Sequence, residues 1–209
     1  MVNFQESKTK ENLARSFAAE CQEGARYQFM SKTAIQEGYN YMSALIRTLA
    51  HNEMAHAKQF FQKLKEYAGE DLNNIDIKAG YPFKAGELID SLLIESINEK
   101  HSGENIYPEF AKIARDEGYE DVAKLFELVA EVELSHKKIL EQIHNALKSK
   151  KLYKSDEEKP FKCDECGYVA RAKQAPKVCP LCNMEQGYFR IDISINDYSD
   201  LGEIHNKKI

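Results

Sequence analysis

Two Glu-x-x-His spacings, Glu53 with His56 and Glu133 with His136, each interrupt the middle of an otherwise apolar helical stripe. At helical spacing the first stripe reads Leu45, Leu49, Glu53, His56, Phe60, Leu64 and Tyr67, and the second Val122, Leu125, Val129, Glu133, His136, Leu140, Ile143 and Leu147. Two more stripes carry one acid each at mid-length: Leu13, Phe17, Glu20, Gly24 and Tyr27, then Leu88, Leu92, Glu99, Ile106, Phe110 and Ile113. An unpaired buried carboxylate is prohibitively costly, so four acids facing one core need a common cation. Residues three apart share a helical face, which lets the carboxylate oxygen and the imidazole nitrogen of each pair reach one ion. Singly, each acid or pair reads as an ordinary surface feature. Together, on four successive helices, they match the di-iron or di-manganese carboxylate pattern of bundle cores. Oxygen and imidazole donors suit several metals, so manganese or mixed occupancy stays open at this point.

The helical texture runs from about Asn3 to Lys148, with breaks at Gly38, between Gly69 and Gly86, and at Gly118. This predicts an all-α four-helix bundle over residues 1–148. The stretch from Gly69 to Gly86 is the one long connection, and at ~3.3 Å per residue it exceeds the length of the helices it joins. It can cross the bundle and leave helices two and three parallel, the ferritin-like arrangement. Pro108 falls inside the third helix, where the missing backbone donor predicts a kink. Residues 149–160, rich in charge and poor in apolar side chains, read as a solvated linker. A second unit of residues 161–191 is too small to fold on an apolar core alone, and a metal is the expected staple. Residues 192–209 show no assignable pattern.

That second unit carries Cys163-x-x-Cys166-Gly-Tyr and, twelve residues on, Cys179-Pro-x-Cys182. Two such knuckles present four sulfurs to one tetrahedral metal. Spacing alone leaves a structural zinc and a one-iron redox centre equally open; a redox centre beside a di-iron site would give both a role. Phe161, Tyr168, Tyr188 and Phe189 are expected to form a miniature core around the sulfurs. The fifth cysteine, Cys21, neighbours Glu20 but points about 100° away around the helix, and is read as a small buried core residue.

The net charge of -5 lacks the basic excess that nucleic acid or anionic lipid would favour. The amino terminus has no apolar leader core, and no uncharged apolar run is long enough to span a bilayer. The expectation is a cytoplasmic protein with no nucleic-acid or membrane partner, whose cysteines meet metal before disulfide.

The stretches SFAAECQEGARY (16–27), EMAHA (53–57) and IYPEFAKIARDEG (106–118), followed by CxxCGY and CPxC, resemble the landmarks of the rubrerythrin family in order, over roughly residues 10–190. The resemblance implies a ferritin-like bundle with a di-iron site, followed by a rubredoxin-like domain with one iron on four cysteines. It implies reduction of hydrogen peroxide to water, with electrons relayed from an external donor protein or reductase through the cysteine centre of a homo-oligomer. Glu20, Glu53, His56, Glu99, Glu133 and His136 fall on the family's di-iron ligand positions, and Cys163, Cys166, Cys179 and Cys182 on those of the single iron. Tyr27 and Tyr107 fall on tyrosines that hydrogen-bond ligand carboxylates; without the resemblance they read equally well as core aromatics.

One position departs. The family's seventh ligand, a glutamate three residues after the third helix's first one, falls on Ser102, so the redox-linked exchange of a histidine for that glutamate lacks its acid here. Glu104 lies on a different face, and Glu95 shares the face but sits one turn away. Two other functions compete: a ferroxidase or oxidase using dioxygen at the same ligands, and an interaction protein with zinc in the cysteine site.

Overall fold

In the computed structural model, which describes residues 2–69, 74–191 and 193, five α-helices precede a small two-stranded unit. The helices are α1 (Lys8–Gln36), α2 (Asn40–Ala68), α3 (Leu88–His101), α4 (Tyr107–Glu117) and α5 (Glu120–Lys148); the strands are β1 (Lys154–Lys162) and β2 (Val169–Gln174). A π-helical turn, Ser102–Ile106, joins α3 to α4, so the expected third helix is present but interrupted.

The interruption lies just before Pro108. A proline in mid-helix would leave the carbonyl four residues earlier without its donor and clash with it. Here the chain widens by one residue, the Tyr107 N–H bonds back to the Ser102 carbonyl, and Pro108 falls in the first turn of α4, where a missing N–H costs little. Gly103 lets the widened turn press on α5: a Cβ there would lie 2.8 Å from Leu134 Cγ and 2.9 Å from the Ala130 carbonyl oxygen.

Short turns make α1 and α2, and α4 and α5, antiparallel neighbours. Contacts of Glu20 with Tyr107 and of Arg26 with Glu95 match rising numbers in α1 with falling ones in α3 and α4, so α1 also opposes the third helix. Helices α2 and α3 are therefore parallel, as the long connection predicted. That connection crosses over α1, where the Tyr81 hydroxyl donates to the Arg15 carbonyl at 3.1 Å. The α1 N-terminus is held from two sides: the Ser7 hydroxyl accepts from the Lys10 N–H at 3.1 Å, and the Glu117 carboxylate accepts from the N–H groups of Lys8 at 3.0 Å and Thr9 at 2.8 Å.

The apolar core is split in two. One cluster, with Leu13, Phe60, Leu64, Tyr107, Val122 and Phe126, fills one end of the bundle. The other, with Tyr27, Met42, Ile46, Leu92, Leu140 and Ile143, fills the other end. Each fully buried large apolar side chain contributes ~1.5–3 kcal/mol relative to exposure. The gap between the clusters holds the carboxylates.

The chain leaves α5 through residues 149–153, and Leu152 packs into the second cluster. Most of the stretch expected as linker is strand: β1 pairs antiparallel with β2 from Lys162↔Val169 to Lys159↔Ala172, then again at Lys154↔Gln174 after an irregularity. Its charged side chains sit largely in solvent while its backbone bonds to β2, an arrangement that composition does not reveal. The small unit rests on the α1–α2 turn. Gly187 approaches the Gly38 carbonyl so closely that a Cβ at 187 would lie 1.7 Å from that oxygen, and Arg190 stands over the Tyr41 ring at 5.9 Å. Residues 194–209, most of the tail that showed no pattern, lie outside the described residues. Among the described residues no helix is long and apolar enough to cross a membrane.

Candidate metal centres

All six bundle residues singled out from the sequence converge. Glu20, Glu53, His56 and Glu133 form one group whose candidate donor atoms lie within 4.8 Å of one another; Glu53, Glu99, Glu133 and His136 form a second. Glu53 and Glu133 belong to both groups, so each can span two ions. The four glutamates and His136 are 0–2% exposed. The two imidazole rings stack at 5.9 Å between centroids.

Only some of the polar atoms inside this cage satisfy one another: His56 Nδ1 lies 3.1 Å from Glu20 Oε2 and 3.0 Å from Glu53 Oε2. Glu53 Oε1, Glu99 Oε2, both oxygens of Glu133 and His136 Nδ1 are buried without a hydrogen-bond partner among the described residues. His136 Nδ1 lies 2.8 Å from Glu53 Oε1, yet the pair is not aligned as a hydrogen bond. Native proteins rarely leave so many buried acceptors unmatched, and a bound cation is one explanation for such a cluster. Charge agrees: four carboxylates with two neutral imidazoles carry -4, which two divalent cations balance. The residues therefore fit a pair of metal ions, and their oxygen and nitrogen donors are consistent with iron.

Without a cation the acids compete. Burial and the charge of Glu133 push Glu20 and Glu99 well above the usual carboxylate range. Burial also works against ionised Glu133, but the close imidazoles of His136 and His56, each 3.3 Å from one of its oxygens, outweigh it and hold that carboxyl low. Burial disfavours the His56 imidazolium, yet contacts with Glu133, Glu20 and Glu53 raise His56 to about 12. A cation would take over the role these protons play.

Around the cage, the Tyr107 hydroxyl donates to Glu20 Oε1 and the Tyr27 hydroxyl to Glu99 Oε1. Both tyrosines are at most 3% exposed, and the Tyr107 ring stacks against Phe60 at 5.8 Å and Phe126 at 6.0 Å. Burial, reinforced by the adjacent carboxylates, raises both phenols well above their ordinary range, so each keeps its proton. His136 faces the cage with Nδ1 while its Nε2 lies 3.2 Å from the Asn52 amide.

Ser102 opens the π turn and is half-buried. Glu104 is exposed, with Lys100 3.8 Å away. Glu95 is buried but committed: Arg26 Nε donates to one of its oxygens at 2.8 Å and a terminal guanidinium nitrogen to the other at 3.1 Å, while the same terminal nitrogen reaches Glu23 at 3.0 Å. Neither acid stands in for the missing glutamate. This Glu23–Arg26–Glu95 cluster and Asn52 were not read from the sequence. Glu23 and Arg26 do follow Glu20 at three-residue steps, which was the available signal. Cys21 is partly exposed, not buried as expected, and burial together with Glu20 raises its thiol, the opposite of an activated nucleophile.

The four remaining cysteines form a second cluster, with sulfur separations of 3.7 Å for Cys163–Cys182 and 3.6 Å for Cys166–Cys179. Two knuckles of the same design build it. The Cys163 N–H bonds to the Tyr168 carbonyl and the Cys163 carbonyl accepts from Gly167; the Cys179 N–H bonds to Met184 and its carbonyl accepts from Asn183. Burial disfavours the Cys179 thiolate, but the N–H groups of Cys182 and Leu181 bring that thiol down to about 7. Phe161 and Phe189 are buried beside the sulfurs, with Tyr168 and Tyr188 packed against them. Four sulfurs at this spacing fit one tetrahedral iron or zinc.

Comparison with known proteins agrees with this geometry. The family model described as Rubrerythrin matches residues 11–99 and 90–204. Rubrerythrin-1 of Clostridium acetobutylicum is 41% identical over 192 residues, 91% of this chain and 97% of the relative. Rubrerythrin of Nitratidesulfovibrio vulgaris is 31% identical over 91% and 97% of the two chains. Among solved structures, a mixed-valence nigerythrin superimposes with a TM-score of 0.59 over 92% of this chain and 94% of its own, at 22% identity. A Desulfovibrio desulfuricans bacterioferritin, described by the states of its di-iron site, gives 0.54 over 69% and 82% at 25% identity.

Proposed function

The chain belongs to the rubrerythrin family, and from that premise we propose that it is a peroxidase that reduces hydrogen peroxide to two waters at a di-iron site in the bundle. The supporting observation is the pair of four-residue groups sharing Glu53 and Glu133, buried throughout except for the partly exposed His56. Two ferrous ions, when bound, supply the two electrons that the O–O bond takes up on breaking.

This chain's residues do the rest. Glu20, Glu53 and His56 on the α1–α2 hairpin and Glu99, Glu133 and His136 on the opposite one would hold the two ions, Glu53 and Glu133 being common to both groups of donors. Tyr107 and Tyr27 hold hydroxyl protons against Glu20 and Glu99, which orients those carboxylates and keeps an O–H within reach of a reacting oxygen. Phe60 and Phe126 keep bulk water from that end of the cage. The two protons that accompany the electrons enter through such hydroxyl and carboxyl groups.

The cysteine centre is read as a one-iron relay from an external donor protein or reductase. Within one chain it sits at the end of the bundle, against Gly38. Glu53 lies thirteen residues into α2, ~20 Å along the axis. Electron transfer weakens steeply with distance, so the relay is read as running between subunits of a homo-oligomer.

Rapid mixing of the anaerobically reduced protein with hydrogen peroxide or with dioxygen tests the reading. Faster oxidation by peroxide is expected; preference for dioxygen would make the protein an oxidase or ferroxidase. A red ferric-thiolate spectrum and metal analysis separate iron from colourless zinc in the cysteine site.

A further inference from the structure

A cavity of about 580 Å³ lies between α1, the π turn and the crossing connection. Its volume falls in the range of small organic ligands and far exceeds the need of hydrogen peroxide, which is little larger than water. Ser16, Ala19 and Glu23 line it from α1, bracketing Glu20 in sequence; Asn98, Ser102 and Tyr107 line it from the other side, bracketing Glu99. Its inner wall includes the tyrosine whose hydroxyl rests on Glu20. At position 102 a serine stands where a longer acid would intrude on this space.

Two groups in the lining lack the partner that burial demands. Ser16 is 2% exposed and, among the described residues, its hydroxyl has no hydrogen-bond partner. Arg15 gives its terminal nitrogens to Glu11 at 2.5 Å and Asn12 at 3.4 Å, but its buried Nε has none. Both residues line the cavity, so a small rotation of either side chain would let an acceptor oxygen brought by a ligand supply the missing partner, and Lys78 adds a second cation to the lining. Of the acids in the lining, Glu23 is neutralised by Arg26, and Glu109 is exposed to solvent.

We propose that this cavity admits carboxylate-bearing organic hydroperoxides as substrates, with the carboxylate on Arg15 and Ser16 and the peroxide end directed past Ser102 and Tyr107 toward the cage. The proposal rests on the peroxidase reading and names a substrate class for the same site. The O–O bond of R–O–OH breaks, two electrons from the reduced centre and two protons are taken up, and R–OH and water leave. The external donor of the proposed peroxidase restores the electrons.

Monoperoxyphthalate, a carboxylate-bearing peroxy acid whose O–OH group stands in for that of a hydroperoxide, is a suitable substrate probe, and phthalate, its reduced product, a binding probe. Calorimetry on the resting full-length protein should show saturable phthalate binding, weakened roughly tenfold or more by Arg15→Gln. Ile106→Trp, which fills the cavity, should remove that binding. With reduced protein, the ratio of oxidation rates by monoperoxyphthalate and by hydrogen peroxide should fall in both variants, at unchanged helicity and metal content. Absence of phthalate binding, or a rate ratio that neither variant moves, overturns the proposal. If hydrogen peroxide itself fails to oxidise the reduced protein, the peroxidase reading fails, and phthalate binding alone then decides whether the cavity is a carboxylate site.

Discussion

Arg26 grips both carboxylate oxygens of Glu95, with donor distances of 2.8 and 3.1 Å. Glu95 is the one acid of the third helix that shares the face of Glu99 without joining the cage, and this clamp withholds it. With Glu23 and Glu95 both held by Arg26, no carboxylate outside the ligand set is free, among the described residues, to displace His56, which is expected to stay on its iron in both oxidation states. Ser102→Glu should restore such a competitor. One added charge about 4 Å from an ion corresponds to a di-iron potential lowered on the order of 100 mV. Redox titration measures the shift. Structures of both oxidation states showing His56 released on oxidation in the unaltered protein, with Glu95 in its place, would refute this.

Asn52 supports the histidine of the other group, its amide lying 3.2 Å from His136 Nε2. With the Asn52 side-chain amide turned so that its oxygen accepts from Nε2–H, Nδ1 is left unprotonated and free for metal, and losing such a partner typically costs 10–100-fold in affinity. Asn52→Leu is expected to raise the iron concentration needed for half-occupancy by roughly tenfold or more. An unchanged competition titration against a chelator would count Asn52 as packing only.

Replacing Cys163 with serine should abolish turnover driven by an external reductant, because the relay loses a thiolate. A single turnover of pre-reduced di-iron with peroxide should survive, since the sulfurs do not line the cage. Equal loss of both activities would argue against a relay.

The bundle, its parallel second and third helices and the carboxylate convergence were legible because each rests on a local pattern: apolar period, turn residues, connection length. The π turn at Ser102 was legible only as a kink at Pro108, because whether a helix bends or widens to accommodate a proline depends on its neighbours. Here Gly103 packed on Ala130 and Leu134 permits the widening. Strand β1 was hidden for a related reason. Its residues are charged, and what makes Lys154–Lys162 a strand is pairing with β2 across a metal knuckle, a contact that no window of composition contains. Arg26 and Asn52 were missed because they act on the ligand set from outside it, where sequence spacing carries no chemistry.

The α1 N-terminus offers a test of stability independent of metal. Glu117, the last residue of α4, accepts from the N–H groups of Lys8 and Thr9 and from the Thr9 hydroxyl at 2.6 Å, tying two helix ends together. Burial works against the ionised form, but these bonds, led by the Thr9 hydroxyl, outweigh it and hold the carboxyl below its ordinary range. A carboxylate whose folded pKa is depressed adds stability that is fully present above the unfolded value. That stability is lost as pH falls through the lower, folded one. Glu117→Ala is therefore expected to destabilise the protein by about 1 kcal/mol at pH 7, the usual worth of an N-terminal cap. The difference between variant and parent should shrink as pH falls below about 4.5, where the unfolded chain begins to protonate this group. Denaturant unfolding at pH 7 and pH 4 measures both values; a difference that does not depend on pH would assign the effect to packing and not to the carboxylate.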